Sequence, residues 1–273
     1  VKLAYAISAS PTRFAAVGHA GDVHATLRRL AGLGFDGVEL AIRDPAQVDL
    51  DAIAGTVRGL GLAVPAVGTG QAYVEEGLSL TAPDPARREA AEARLMAQLA
   101  PAARLGAVVI IGLIHGPVPP GETHERALER FLPAVSRVAQ AAGRRGVRLV
   151  IEPINRYETN WLNTVEEVMD LLRRLGEDNV GVLPDTFHMN IEEAAPAAAV
   201  RAARTRVWHV HVADSNRRAP GLGHVDFDAL VRELARARYA GFLSAEILQD
   251  PTLEEAARQT AAKMRLLVPR RRA

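Results

Sequence analysis

The chain has 273 residues, 48% of them hydrophobic and 24% charged, enough for a large buried core and not the composition of a disordered chain. A formal net charge of +1 gives no basis for a nucleic-acid groove. The absence of cysteine excludes disulfides, thiolate metal sites and a cysteine nucleophile, and suits a reducing compartment.

The first apolar run, LAYAIS (3–8), is too short for a signal peptide or a membrane span and predicts a strand. After it come GVEL (37–40), LAVPAVG (62–68), AVVIIGL (107–113), VRLVIE (147–152), VGVLPD (180–185), VWHVHV (207–212) and FLSAEI (242–247). The intervening segments space apolar residues by three and four, as at Val165, Val168, Leu171, Leu172 and Leu175, which predicts helices. Gly34, Gly61, Gly106, Gly146, Gly176 and Gly241 follow these segments as helix stops. Eight strand–helix units over residues 1–273 predict an α/β protein, a single catalytic (β/α)8 TIM barrel. An open doubly wound sheet fits less well, because no G-x-G-x-x-G follows the first strand. The longest connections, around 69–85 and 114–123, are predicted to be loops over the mouth. The terminal PRRRA reads as a frayed, solvated end.

In a barrel the C-terminal ends of the strands converge on one face. Those ends carry Glu39, then Gly68-Thr69-Gly70-Gln71, His115, Glu152, Asp185, His211 and Glu246. A lone strand-end glutamate is more often a cap partner or half of a salt bridge than a ligand. Four ionisable residues on four consecutive strands are better read together, since carboxylates sharing one mouth repel unless a proton or a cation sits among them. Glu152, Asp185, His211 and Glu246 form a hard donor set with open positions, which suits Mn2+ first, and Mg2+ or Co2+ after it. His209 shares a strand face with His211 but lies deeper, as a hydrogen-bonded core or supporting histidine. His19 and His24 read as ordinary loop and helix residues, while His115, His124 and His224 read equally well as mouth-lining or plain structural residues. Pro184 is unusual just before Asp185, because it removes a strand N–H.

IEPINRYETN, LPDTFHMN, HVHVADSNR and SAEI resemble the sugar isomerase/epimerase superfamily of xylose-isomerase-like barrels, and within it the ketose 3-epimerases. The order Glu152, Asp185, His211, Glu246 is similar to that family's metal set. The resemblance implies that Glu152 and Glu246 are also the catalytic acid–base pair. It implies that His188 and Arg217 contact substrate oxygens, with Glu158 orienting His188. Ala213 and Asp214 replace the Gly-Glu common in the family. IRDP (42–45), VGTGQAY (67–73), GLSLT (77–81), VVIIGL (108–113) and TFHMNIEE (186–193) look in addition like the bacterial 5-keto-L-gluconate epimerases of inositol catabolism. Gln71 and His115 complete the expected substrate-facing set.

The implied reaction inverts the carbon beside a ketone, interconverting 5-keto-L-gluconate and D-tagaturonate through a cis-enediolate. It needs one acid–base group on each face and a cation for the developing oxyanion. For a substrate carboxylate the candidate partners are Arg43, Arg156, Arg217 and Arg218. Alternatives on the same fold are a ketose 3-epimerase of neutral sugars, hydroxypyruvate isomerase and inosose dehydratase. A multi-zinc DNA-repair endonuclease would need more strand-end histidines, and a binding-only barrel would not need so costly a polar cluster. The expectation is a cytoplasmic enzyme of carbohydrate metabolism with a small-molecule keto-sugar or keto-sugar acid as partner. Neither nucleic acid nor membrane is expected to bind, and family analogy suggests a homodimer or homotetramer.

Overall fold

The computed structural model describes residues 1–18 and 21–268, so His19 and the terminal PRRRA lie outside the described residues. Every predicted strand is present: β1 (Lys2–Ser8), β2 (Gly37–Ala41), β3 (Ala66–Gly68), β4 (Val108–Ile111), β5 (Leu149–Ile151), β6 (Val180–Val182), β7 (Val210–Val212) and β8 (Phe242–Ala245). They form one parallel sheet in the order β6-β5-β4-β3-β2-β1-β8-β7. The two ends of that order meet through parallel bridges Val182–Val207 and Asp185–His211, which close the sheet into a barrel. The register slips by one residue between these two bridges. Pro184 sits in the slip, where its carbonyl accepts the His211 N–H at 3.0 Å. A residue without an N–H is at home there, because a slipped ladder leaves one donor unpaired.

Alternation along the strands makes two cores. Val109, Ile111, Leu149 and Ile151 face the helices within the main cluster, whereas Ala66, Val108, Ile110 and Val150 pack with Leu183 inside the barrel. Helices α1 (Val23–Gly32), α2 (Leu50–Gly59), α3 (Gly70–Glu76), α4 (Pro85–Leu105), α5 (His124–Gly143), α6 (Val165–Leu175), α7 (Thr186–Glu192), α8 (Pro196–Ala203), α9 (Phe227–Arg236) and α10 (Leu253–Leu267) connect the strands. Local chemistry sets their starts. Asp22, Asp49, Asp84 and Asp226 accept first-turn N–H groups, and Thr164 forms a reciprocal capping box with Glu167. None of the helices among the described residues is long and apolar enough to cross a membrane.

Two expectations change. The 69–85 connection is not all loop, since it contains α3, which ends at Gly77 in the left-handed region. Gly241 is not the stop of its helix. The left-handed position after α9 is taken by Arg238, φ 54°, and Gly241 instead leaves room for the Tyr239 ring, whose hydroxyl donates to the Phe242 carbonyl at 2.8 Å.

Candidate active site

At the strands' C-terminal face, Glu152 after β5, His211 in β7 and Glu246 after β8 line a cleft, with Asp185 after β6 buried within reach of them. Glu152, Asp185, His211 and Glu246 are all buried, and each offers a donor atom within 4.8 Å of the others. His211 Nδ1 lies 3.2 Å from Glu152 Oε1, 3.7 Å from Asp185 Oδ2 and 4.0 Å from Glu246 Oε2. The bridge across the barrel seam puts Asp185 opposite His211. Asp185 Oδ1 caps α7 by accepting the Phe187 N–H at 2.7 Å, while Oδ2 is buried with no hydrogen-bond partner.

His211 is fixed from behind. Its Nε2 donates to Glu39, 3.0 and 3.1 Å from the two carboxylate oxygens, and His209 Nε2 donates to Glu39 Oε2 at 2.7 Å. These hydrogen-bond distances make Glu39, His209 and His211 a bonded triad. It turns Nδ1 of His211 toward the three acids, as carboxylate–histidine pairs do behind a metal. Glu39 was legible as a strand end but not as this partner.

Charge balance also points to a cation. Burial pushes Glu246 up to about 8; Glu152 and Asp185 add to this, while His211 and Arg217 oppose it. Burial works against the charged form of Asp185, but His188 and His211 outweigh it and bring the group to about 2. His211 is held well above its usual value: burial opposes its charge, and Glu39 and Glu246 more than compensate. Left to itself the cluster keeps extra protons, because its acids cannot all ionise together. One divalent ion would satisfy the orphaned Asp185 oxygen and neutralise that repulsion. The oxygen-rich donor set with one imidazole fits such an ion.

The substrate-facing groups gather beside it. His188 Nδ1 accepts from the Asn155 side-chain amide at 2.7 Å. The Asn155 amide is itself oriented, since its oxygen takes the Tyr157 N–H and its nitrogen donates to Glu158 at 2.9 Å. The His188 proton therefore sits on Nε2, which lies 4.0 Å from Asp185 Oδ2. Glu158 does not orient His188 directly, as their nearest approach is 4.0 Å. It binds Arg217 Nη1 at 2.9 Å, and Arg217 Nη2 donates to Glu246 Oε2 at 3.2 Å. Arg217 has φ 59°, an uncommon conformation for a non-glycine residue. Its N–H donates to the Asp214 carbonyl, and its own carbonyl takes the Leu248 N–H. The buried Asp214 carboxylate gathers the Ser215, Gly221 and Val225 N–H groups and folds the loop that carries Arg217. The guanidinium lies over Phe187 at 4.8 Å and Phe14 at 5.8 Å, so Phe187 is more than core filling. Met189 is plain core.

Gln71 lines the cleft, but His115 does not. The short turn Leu113–His115 tucks the His115 ring edge-on against Trp161, and burial brings it down to about 4. His124 and His224 also lie outside the cleft lining. Arg43 pairs with Glu75, Arg156 with Glu192 and Arg218 with Asp250. Among the described residues, Arg217 is therefore the only arginine or lysine lining the cleft.

Residues 27–267 match the family described as xylose isomerase-like TIM barrel. The chain is 32% identical over 237 residues to an L-ribulose 3-epimerase of Mesorhizobium japonicum, covering 86% of this chain and 78% of that one. It is 33% identical over 210 residues to a ketose 3-epimerase of Arthrobacter globiformis, covering 76% and 71% respectively. Among solved structures, a D-allulose 3-epimerase from Methylomonas sp. superposes with a TM-score of 0.82 at 26% identity, over 97% of this chain and 98% of that one.

Proposed function

The chain belongs to the xylose isomerase-like TIM barrel family, and on that premise we propose that it is a divalent-metal-dependent epimerase inverting the carbon beside the ketone of a keto-sugar. The observation that carries this reading is the pair Glu152 and Glu246. They follow two different strands, β5 and β8, and both approach the same imidazole nitrogen, at 3.2 and 4.0 Å. Epimerisation needs that arrangement: one carboxylate takes the α-proton from one face of a planar enediolate, and the other returns a proton to the opposite face. Glu152, Asp185, His211 and Glu246 would hold the cation, which when bound supplies the positive charge that stabilises the substrate oxyanion. His188 Nε2–H donates to a substrate oxygen as charge builds on it. The Arg217 Nε–H, buried without a partner, is a second donor of this kind. Asn155 holds the His188 tautomer, and Glu158 holds Arg217. Phe14, Val17 and Leu113 line the cleft with apolar surface that excludes water from the reacting carbon.

For the substrate, the stretches VGTGQAY, GLSLT and TFHMNIEE favour 5-keto-L-gluconate and D-tagaturonate. A neutral ketose is the second reading. It is favoured by the names of the relatives and by Arg217, the one arginine in the cleft among the described residues, being already engaged by two carboxylates. Mn2+ is the metal to supply first, and an oligomer and a cytoplasmic location remain part of the same reading. The test is proton exchange followed by NMR in D2O with Mn2+, across 5-keto-gluconate, tagaturonate, tagatose, psicose and fructose. Deuterium should enter at the carbon beside the ketone in one epimeric pair. Glu152→Gln and Glu246→Gln should each slow that exchange by at least about 100-fold with the fold intact. Wild-type exchange in either variant, or full activity after chelation, would sink the scheme.

A further inference from the structure

Metal ligands occupy one half of the barrel mouth, at the ends of β5 to β8. A sugar held there by its ketone end must extend across to the half built from β1 to β4. Apolar groups dominate that half, namely Phe14, Val17, Ala41, Ile110 and Leu113. Its polar side chains are nearly all committed. Thr69 Oγ1 donates to the Ile110 carbonyl at 2.6 Å, and Glu39 is taken by the two histidines. Gln71 is the exception. It is 1% exposed, and its Oε1 is buried without a partner.

The orientation of that amide is set by its neighbour. Ser8 Oγ donates its proton to the Ser10 carbonyl, so it meets Gln71 with a lone pair and receives the Gln71 Nε2–H at 2.7 Å. The carbonyl oxygen is thereby left as an acceptor, in a place where an unpaired buried acceptor is costly. We propose that Gln71 is a specificity-determining residue, whose Oε1 accepts a hydrogen bond from a hydroxyl on the part of the substrate beyond the reacting carbons. A hydroxyl satisfies this oxygen. A carboxylate brought against it has no proton to give and is repelled, so Gln71 meets one of the hydroxyls beyond the reacting carbons, which keto-sugar acids and neutral ketoses both carry. This rests on the epimerase reading above and adds to it the group that reads substrate length and polarity.

The test compares Gln71→Met, close in size but without the amide, with the unaltered chain, both loaded with Mn2+. D-Tagatose is the long probe. Dihydroxyacetone, which has an exchangeable α-proton but no distal hydroxyl, is the short one. Two readouts are taken: α-proton exchange in D2O and the dissociation constant by calorimetry. For D-tagatose, KM and Kd are expected to rise about tenfold, a loss of one buried hydrogen bond, with kcat changing far less. The loss on dihydroxyacetone should be smaller by about that factor. Gln71→Asn, which keeps the amide but draws it back by one methylene, should show the same discrimination if Gln71→Met folds poorly. Equal losses on both probes, or no loss on either, would overturn the assignment. If the unaltered chain exchanges neither probe nor any keto-sugar, the epimerase reading itself fails. A discrimination failure with exchange intact counts against Gln71 alone.

Discussion

Asp185→Asn separates a cation site from a merely crowded cluster. In this variant the helix cap survives, because the amide oxygen still accepts the Phe187 N–H that Oδ1 accepts now. The amide nitrogen then replaces the orphaned Oδ2 and turns a ligand into a donor. A cation at 100 times its Kd adds about 2.7 kcal/mol to stability. In a chain of this size each kcal/mol moves Tm by about 2 °C, so the unaltered protein should gain ~5 °C with Mn2+, and Asp185→Asn less than ~1 °C. The gain should depend on pH. Glu246 sits at about 8 when folded against 4.5 as its ordinary value, so the folded state binds the proton more tightly. Its contribution to stability is present below pH 4.5 and is lost as pH rises toward 8. Cation binding must release that proton, and the one held on the raised His211, so the Mn2+-induced shift should grow between pH 5.5 and 8. Scanning calorimetry with EDTA or Mn2+ at both pH values reads this directly. A shift independent of pH, or undiminished in Asp185→Asn, would refute the site.

Glu39→Gln leaves only one acceptor oxygen for the two histidines and should weaken Mn2+ binding about 10- to 100-fold in a competition titration. Asn155→Ala removes the amide that holds the His188 tautomer and should lower kcat about tenfold, with Mn2+ affinity little changed. Gly112→Ala would place a Cβ 2.8 Å from Glu152 Oε2. It should displace that carboxylate, and Mn2+ affinity should fall in calorimetry while the circular dichroism spectrum stays unchanged.

What the sequence made legible was local. Glu152, Asp185, His211 and Glu246 each close or end an apolar run, and a strand's period of two plus the barrel's single mouth suffices to bring such residues together. His115 also comes soon after its strand, yet one short turn buries it against Trp161, because a turn's direction is not written in hydrophobic period. The supporting residues were hidden for other reasons. Glu39 meets His211 across the barrel, 172 residues away in sequence, so no local spacing marks the pair. Asn155 does not ionise, so no search for titratable groups would pick it out, although it fixes the His188 proton. LAVP before β3 is paired only piecemeal: Ala63 makes a single bridge to Gly37, and Pro65 accepts from Val108 but has no N–H of its own to continue the ladder.

Pro184 draws the two levels together. The Val182–Val207 bridge sets an offset which, if continued, would place Asp185 opposite Val210, a core residue on the alternate face from His211. The one-residue slip places Asp185 opposite His211 instead, on the face that points into the cleft. Such a slip strands one backbone N–H in a buried seam, and the proline supplies a residue that has none. The strand-breaking residue beside the ligand is therefore part of how the ligand is aimed. The closing seam of the barrel and the convergence of Asp185 with His211 are produced by the same irregularity.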